Sequence, residues 1–342
     1  GGTPTEVLGT LQGRYTTPEA PDLQRDLAQM VDDGVEALAM EVSSHALAFG
    51  RVAGTRFAAG VFTNLGRDHL DFHGTMENYF AAKARLFEPD LSNLGVVNVD
   101  DPYGRRLVES ATIPMTTFSL QDATDLDVSV FAHDFTWQGQ RLHVGIGGGL
   151  NVMNSLAAAT TARALGIDSS VIVQGLAEAG PVPGRFERID EGQNFTVLID
   201  YAHTPDGLSE VLRSVRSIPD VARVILVFGC GGDRDKMKRP IMGEVAVSLA
   251  DVVIVTSDNP RSEDPEAIIA SIVAGVPDHM RQRLWATEPD RAEAIGLACG
   301  MARSGDVVLI TGKGHESTQT VGAEVLPFDD RIVARDIVRS SR

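Results

Sequence analysis

The hydrophobic and polar positions of the chain alternate between two periodicities, and this alternation predicts an α/β protein. Residues 22–31 show the apolar spacing of a helix, whereas residues 37–42 form an apolar run typical of a strand. A strand at 59–63, a helix at 76–87 and a strand at 95–98 are predicted next. Strand, polar loop and helix in succession indicate a parallel sheet, whose chemistry lies at the carboxyl ends of its strands.

The pattern changes at residues 116–144, which lack helical periodicity and predict short β segments inserted in the first domain. Residues 151–165 predict an alanine-rich helix. A second α/β unit then follows, with predicted strands at 195–199, 223–228, 251–256 and 306–310 and predicted helices at 206–215, 239–249, 265–274 and 291–302. The prolines of Pro181-Val182-Pro183-Gly184 break regular structure. We therefore predict two domains, residues 1–186 and 187–342.

The composition of the chain bears on its cellular compartment and on whether it has a membrane partner. Hydrophobic residues make up 43% of the 342 residues, but the chain has no apolar stretch long enough to span a bilayer and no leader at its printed start. We therefore expect a soluble, unexported protein without a membrane partner. Cys230 and Cys299 are too few for a disulfide framework and lack metal-ligand spacing, which favours the reducing cytoplasm.

The formal net charge of −17 argues against general affinity for nucleic acid, because that affinity comes mainly from Lys and Arg neutralising phosphates. An anionic substrate would therefore need a local basic pocket. The alternative explanation of the charge is a halophilic or simply acidic cytosol.

The densest polar cluster directly follows the predicted strand at 59–63. It contains acids, imidazoles and an amide: Asn64, Asp68, His69, Asp71 and His73. Such a loop could hold a divalent cation and a phosphorylated group, although plain solvation is the alternative. Glu41 also ends a predicted strand. Mg²⁺ takes one or two protein carboxylates and completes its shell with phosphates and water, so Glu41 is a candidate ligand. Ser43 or Ser44 would serve equally well as a helix N-cap.

Polar loops also follow three strands of the predicted second domain, at residues 229–235, 258–261 and 312–316. Glycines let backbone amides approach an anion, and a helix N-terminus adds partial positive charge. Because the carboxyl ends of parallel strands share one edge, we expect these loops to converge on one crevice. No G-x-S-x-G motif and no early G-x-G-x-x-G turn is present, so a serine hydrolase or a hydride-transfer enzyme has little support.

Taken together, these segments resemble the Mur ligases over nearly the whole chain. The matching segments are Thr16-Thr17-Pro18, Met40-Glu41-Val42-Ser43-Ser44-His45, Thr63-Asn64-Leu65, Asp68-His69-Leu70-Asp71 with His73, Asn151 with Asn154, Gly184-Arg185-Phe186-Glu187, Asp200-Tyr201-Ala202-His203 and the three C-terminal loops. The resemblance implies an α/β fold: a parallel-sheet ATPase-type central domain with a small β insertion, then a Rossmann-like C-terminal domain.

The same resemblance implies ATP-dependent amide-bond formation in peptidoglycan synthesis. ATP would phosphorylate the D-Glu carboxylate of UDP-N-acetylmuramoyl-L-alanyl-D-glutamate, and the amine of an incoming amino acid would displace phosphate. Mg²⁺ would offset the repulsion between the anions in the first step.

The resemblance also assigns roles residue by residue. Lys83, His69 and Glu41 would be catalytic and would hold the metal, with Lys83 carboxylated on its side-chain nitrogen, although read without context it is an exposed lysine. The UDP-muramoyl dipeptide would contact Thr16, Thr17, Ser43 and Arg51. ATP would contact Asn151, Arg185, Asp200 and His203. The amino acid, meso-2,6-diaminopimelate, would contact Arg234, Asp258, Asn259, Pro260, Arg261, Gly312 and Glu316.

The choice of diaminopimelate depends on charge. This amino acid carries a second carboxylate, which a guanidinium such as that of Arg261 grips in a bidentate way, whereas lysine lacks it. A lysine substrate would leave the guanidinium without a partner, which is how such sites reject near-analogues. Glu316 would face the distal ammonium of the same substrate.

The chain departs from the family pattern in three places. The G-x-x-G-K-[ST] phosphate loop and the N-terminal domain that receives the uridine end are absent from the printed sequence, and we expect a fragment of a longer protein rather than a degenerate relative. Tyr15 and Phe49 replace polar residues near the muramoyl substrate, and residues 147–150 form an altered approach to Asn151. Two rival interpretations stay open: a folylpolyglutamate synthase or another Mur enzyme, and a non-catalytic binding protein.

Overall fold

The computed structural model of the chain describes residues 16–340. Its contacts divide the chain into two compact units. Among the described residues, the first unit contains residues 16–65 together with His69–Phe118 and Thr160–Gly166, and the second contains Gly66–Asp68, Ser119–Ala159 and residues 167–340. Because residues 119–159 group with the second unit, the domain boundary at residue 186 stays a prediction.

The first unit alternates helices with short strands. Its elements are α1 (Ala20–Asp32), α2 (Ser44–Ala48), β1 (Gly60–Phe62), α3 (Leu70–His73), α4 (Met76–Ala84) with a 3-10 turn (Arg85–Phe87), β2 (Gly95–Asn98), α5 (Pro102–Ser110) and β3 (Met115–Phe118). The strands pair in the order β1-β2-β3, and every pair is parallel. Phe62, Phe80, Phe87 and Leu107 belong to one buried cluster that covers this sheet.

The predicted strand at residues 37–42 is wrong, because the structure gives this segment no strand pairing. Extended backbone becomes a strand only where a neighbour satisfies its N–H and C=O groups. Here a side chain does so instead: the Thr17 hydroxyl donates to the Glu41 carbonyl and accepts from the Ser43 N–H. The strands predicted at 59–63 and 95–98 and the helices predicted at 22–31 and 76–87 are confirmed, with ends shifted by a few residues.

The second unit contains a six-stranded mixed sheet, a three-stranded antiparallel sheet and a two-stranded antiparallel hairpin. Its elements are β4 (Thr124–Val128), β5 (His133–Trp137), β6 (Gln140–Val144), α6 (Gly149–Ala164, with residues 160–164 in the first unit), α7 (Ser169–Ala177), β7 (Glu187–Ile189), β8 (Thr196–Asp200), α8 (Pro205–Arg216), β9 (Val224–Phe228), α9 (Lys238–Leu249), β10 (Val252–Thr256), α10 (Pro265–Val273), β11 (Leu284–Glu288), α11 (Arg291–Met301), β12 (Val307–Thr311), β13 (Thr318–Val321), β14 (Glu324–Pro327) and α12 (Asp330–Ser340), with 3-10 turns at Leu120–Asp122 and Asp278–Arg283.

The large sheet has the order β11-β10-β9-β12-β8-β7, and every pair is parallel except β7 with β8. Side chains of β9 alternate between its two faces. Leu226 and Phe228 pack in a core with α8, α9 and α10, whereas Ile225 and Val227 pack in a second core with α11 and α12. Helices therefore cover both faces, which confirms the predicted doubly wound arrangement. In the part of the chain described, no helix combines the length and the apolar character needed to cross a membrane.

Candidate active site

The residues predicted to bind the muramoyl dipeptide form one cluster at the start of the first unit. Thr17 is fully buried, and its hydroxyl lies 3.0 Å from the Glu41 carbonyl and 3.1 Å from the Ser43 nitrogen. Arg51 donates to the Thr17 carbonyl at 3.3 Å and pairs with Glu19 at 2.8 Å. The turn that carries Thr17 is thus fixed against the start of α2. Thr16 is exposed beside it, and Tyr15 lies outside the described residues.

Phe49, the second departure from the family pattern, is 61% exposed. Its ring centroid lies 5.3 Å from that of Phe72 and 5.7 Å from the Arg51 guanidinium. An apolar ring next to Arg51 thus replaces the expected polar side chain.

Three imidazoles, those of His45, His69 and His73, lie close together beside α3. His45 lies 4.9 Å from His69 and 5.6 Å from His73, measured between ring centroids. His69 has a left-handed backbone conformation with φ of 53°, which is uncommon for a residue other than glycine and often marks a functional position. Tyr79 contacts both His69, at 5.8 Å, and the Lys83 ammonium, at 5.4 Å, so the structure brings these two predicted metal-site residues to one aromatic ring.

Burial lowers the pKa of His73, and the nearby charges of His45, His69 and Lys83 lower it further. His73 is therefore neutral at pH 7. Its Nε2 lies 2.9 Å from the Ser44 hydroxyl, which fixes its ring against α2. His45, His69, His73 and Lys83 thus lie within one small cluster beside α2 and α3.

If Lys83 is carboxylated, it would offer Mg²⁺ a carboxylate next to His69, and carboxylate oxygens are the ligands that this cation takes. Among residues 16–340, no three His, Cys, Asp or Glu side chains are grouped closely enough to hold a metal by themselves. A carboxylated lysine is not one of these four residue types, so it would add a ligand to any such group. Mg²⁺ normally draws its remaining ligands from phosphates and water. Glu41 is exposed at the end of its segment, where a ligand could reach it.

The residues predicted to bind ATP occupy two places in the second unit. Arg185 lies over the Tyr201 ring at 4.4 Å, and His203 lies beside the same ring at 4.7 Å. Asn151 instead starts α6, where its side chain donates to the Gly147 carbonyl at 2.7 Å. Tyr201 therefore brings Arg185 and His203 together as a cationic and aromatic surface, whereas Asn151 helps to form the glycine turn.

The carboxylate of Asp200 is hydrogen-bonded mainly to the backbone. Its two carboxylate oxygens each accept a backbone hydrogen bond at 2.8 Å, from Phe186 and from Ala202. Burial raises the pKa of Asp200, although these hydrogen bonds oppose that effect. For His203, burial has the opposite effect and lowers the pKa, and the charge of Lys238 lowers it further. His203 is thus neutral at pH 7, with its Nδ1 donating to the Tyr201 carbonyl.

The three loops of the second domain converge, as predicted. The Arg261 guanidinium donates to the Gly232 carbonyl at 2.7 Å, and the Gly232 N–H donates to the Asn259 carbonyl at 2.9 Å. Asn259 in turn donates to Glu316 at 2.8 Å. Gly312 lies against Asp258, where an added Cβ would meet a carboxylate oxygen at 2.6 Å. Arg234 is exposed beside them and Pro260 is buried, so all of the residues predicted for the amino acid lie on these loops.

Arg261 is held in a strained backbone conformation, with φ of 54°. Its N–H donates to the Thr320 carbonyl at 3.0 Å, and its own carbonyl accepts from Gly322 at 2.6 Å. A non-glycine residue stays in this region only where its surroundings determine the conformation, and such residues concentrate at binding sites. The hairpin of β13 and β14 therefore holds the backbone of Arg261, while the Gly232 carbonyl holds its guanidinium.

Three buried charged residues behind these loops, Lys313, Arg291 and Asp330, received no role from the sequence. Lys313 is fully buried and contacts Asn259 and Glu316. Arg291 and Asp330 form a fully buried pair that also binds the Ser257 and Thr311 carbonyls at the ends of β10 and β12. A lysine between two glycines at the end of a strand was a usable signal for the first. Nothing in the local sequence pairs residues 291 and 330.

Comparison with known proteins finds relatives over nearly the whole chain. Residues 2–162 match the family model described as "Mur ligase middle domain", and residues 184–314 match "Mur ligase, glutamate ligase domain". The UDP-N-acetylmuramoyl-L-alanyl-D-glutamate–2,6-diaminopimelate ligase of Streptomyces avermitilis is 45% identical, covering 99% of this chain and 71% of its own. The ligase of the same name from Geobacillus kaustophilus is 48% identical, covering 95% and 69%. A solved structure of a ligase with that name matches with a TM-score of 0.61 at 36% identity, over 94% of this chain and 68% of the other.

Proposed function

Because the chain belongs to the Mur ligase family, we propose that it joins meso-2,6-diaminopimelate to UDP-N-acetylmuramoyl-L-alanyl-D-glutamate in an ATP-dependent reaction. The D-Glu carboxylate takes the terminal phosphoryl group of ATP, which leaves as ADP. The substrate amine then attacks the acyl phosphate, loses a proton and expels inorganic phosphate. The product is an amide, and this chemistry fits the cytoplasm, where ATP is available.

The observation that supports this substrate is the placement of Arg261. Its guanidinium is directed toward the glycine loop by a strained backbone that two hydrogen bonds hold in place. Among the described residues its side chain makes one hydrogen bond, which leaves other N–H groups for a carboxylate. A guanidinium that keeps its fork geometry is suited to bidentate recognition of the distal carboxylate of diaminopimelate.

In this proposal, residues of the first unit supply the groups for the acyl-phosphate step. Mg²⁺ would be held by Glu41, His69 and carboxylated Lys83. When bound, it offsets the repulsion between the negative charges of the carboxylate and the phosphate. Thr16, Thr17, Ser43 and Arg51 would hold the muramoyl dipeptide. Arg185 and His203 would take the nucleotide against Tyr201, with Asn151 and Asp200 shaping the turns beside it.

The test is a coupled assay of the enzyme expressed from its complete reading frame. With ATP, Mg²⁺ and UDP-N-acetylmuramoyl-L-alanyl-D-glutamate, release of phosphate should depend on meso-diaminopimelate, and the product should gain the mass of that amino acid less water. Folylpolyglutamate synthesis instead would need a folate acceptor and L-glutamate. Binding of diaminopimelate without any phosphate release would favour the non-catalytic alternative and would overturn the proposal.

A further inference from the structure

The side chain of Lys313 lies fully buried behind the amino-acid loops, and each of its ammonium protons has an acceptor. Its Nζ lies 2.6 Å from the Thr318 carbonyl, 3.1 Å from Glu316 Oε2 and 3.2 Å from Asn259 Oδ1. Burying an ammonium is costly unless it is paired and hydrogen-bonded in this way. An aliphatic side chain would fill the same space at a lower desolvation cost, so packing alone does not explain a charged residue here.

The flanking backbone directs Lys313 inward. Gly312 has φ of 114° and Gly314 has φ of 54°, both in a region that side-chain-bearing residues rarely adopt. An added Cβ at Gly312 would meet Asp258, and one at Gly314 would meet Tyr201. The loop is therefore a tight turn that can hold one side chain beneath the other loops.

Lys313 also determines which way the Asn259 amide faces. The Asn259 oxygen accepts from Lys313 and from the Thr320 N–H at 3.0 Å, and both of these are donors only. The Asn259 NH₂ group must then point to Glu316, to whose Oε2 it donates at 2.8 Å. Because Lys313 donates to the same oxygen, Oε2 of Glu316 is fully engaged.

The other oxygen of Glu316 is placed differently. The Glu316 side chain is 34% exposed, and within residues 16–340 its hydrogen bonds all go to Oε2. Oε1 is therefore presented toward solvent by a carboxylate whose orientation the buried lysine and the amide fix. A fixed carboxylate oxygen at a pocket recognises an ammonium more selectively than a mobile one, because less rotamer entropy is lost on binding.

We propose that Lys313 is a positioning residue for the distal amine of the amino-acid substrate. Its ammonium locks Asn259 and Glu316 together, so that Glu316 Oε1 accepts from the substrate ammonium while Arg261 takes the carboxylate next to it. The inference rests on the proposed function. It goes further in assigning recognition of the amine to a buried network and not to Glu316 alone.

The test compares two substrates that differ only in this amine. 2-Aminopimelate has the carbon chain and both carboxylates of diaminopimelate but no distal amine. The measurement is the ratio of kcat/KM for meso-diaminopimelate over 2-aminopimelate, using the enzyme from its complete reading frame. Lys313→Met should lower this ratio by roughly 10-fold or more, the effect expected for one charge-assisted hydrogen bond. Lys236→Met is the matched control, because Lys236 is 66% exposed and Arg239 also holds its partner Glu263.

A double-mutant cycle separates positioning from general stability. Glu316→Gln should lower the same ratio, and adding Lys313→Met to it should lower the ratio little further, since both changes disable one interaction. If Lys313→Met does not fold, as judged by thermal unfolding, Lys313→Gln keeps a polar group in the site and should reduce the ratio likewise.

The outcomes distinguish the two proposals. Absence of product from meso-diaminopimelate in the wild-type enzyme would overturn the proposed function itself. Product formation with a ratio that is already near one in the wild type, or that is unchanged in Lys313→Met and Lys313→Gln, would leave the function standing and overturn the role of Lys313.

Discussion

Removing the Arg291 guanidinium should destabilise the second unit far more than removing a surface arginine. Arg291 and Asp330 are both fully buried, and the guanidinium bonds to both carboxylate oxygens at 2.6 and 2.7 Å. Burial alone would lower the pKa of Arg291, but the charge and hydrogen bonds of Asp330 outweigh it and raise the pKa. Arg291 therefore stays charged, and its loss leaves an uncompensated carboxylate in the core.

The magnitude has two parts. An unpaired buried carboxylate costs about 3–5 kcal/mol. The Ser257 and Thr311 carbonyls, which accept from Arg291 at 3.1 and 2.9 Å, lose their donor at about 1 kcal/mol each. Arg291→Met should thus cost about 5–7 kcal/mol by these estimates. Arg291→Met combined with Asp330→Leu removes the first part and should recover about 3–5 kcal/mol.

Tryptophan fluorescence during urea unfolding measures this difference. Trp137 and Trp285 are the two tryptophans of the chain, and both lie in the second unit, so the signal reports on that unit. Arg281→Met is the matched control, because Arg281 pairs with Asp278 on the surface at 3.5 Å and should leave the midpoint nearly unchanged. Equal midpoints for the single and double variants would refute the reasoning, since the isolated carboxylate would then carry no cost.

Three further changes should have separate effects. Lys83→Arg keeps a cation at this position but cannot be carboxylated, so phosphate release should fall roughly 100-fold while the circular dichroism spectrum is unchanged; retained turnover would exclude a catalytic need for the modification. Burial lowers the pKa of His133, whose neutral ring donates to the Ile146 carbonyl and accepts from the Ser155 hydroxyl. The free energy of unfolding that His133 contributes is therefore complete above the unfolded pKa of about 6.5 and is lost as the pH falls below it. His133→Gln should make the free energy of unfolding, measured by fluorescence, depend less on pH in that range. An unchanged pH dependence would contradict this. Gly184→Ala should destabilise the protein by at least about 1–3 kcal/mol, because Gly184 has φ of 67° and an added Cβ would overlap the backbone of the loop at Gly314. Gly180→Ala is the control, because the space around Gly180 is open. Equal urea midpoints for the two variants would contradict the predicted steric overlap at Gly184.

Strong periodicity and turn chemistry made most of the second unit predictable from sequence. The strands β9, β10 and β12 are continuous apolar runs that end in polar loops, and such runs are typical of parallel strands covered on both faces. The short β segments at residues 124–144 were also predicted, but the strand β11 and the hairpin β13–β14 were not. The strand β11 carries alternating exposure at the edge of the sheet, and the hairpin β13–β14 is largely exposed, so neither has a strong hydrophobic pattern.

The candidate site was predictable where loops share a strand end. Arg261, Asn259 and Glu316 follow β10 and β12, whose parallel pairing with β9 and β8 brings their carboxyl ends to one edge. The positive φ of Arg261 and the amide orientation of Asn259 depend on the hairpin and on Lys313, which lie more than fifty residues away. Contacts of that range leave no local signature in a single sequence.

The most direct test of the central claim is the selectivity of the enzyme between meso-diaminopimelate and L-lysine. If the Arg261 guanidinium grips the distal carboxylate, Arg261→Ala should lower the ratio of kcat/KM for diaminopimelate over lysine by at least roughly 30-fold, which corresponds to about 2 kcal/mol. The loss should come from diaminopimelate, with lysine little affected or improved. A ratio that is the same in Arg261→Ala and the wild type would contradict the claim that this arginine selects the substrate.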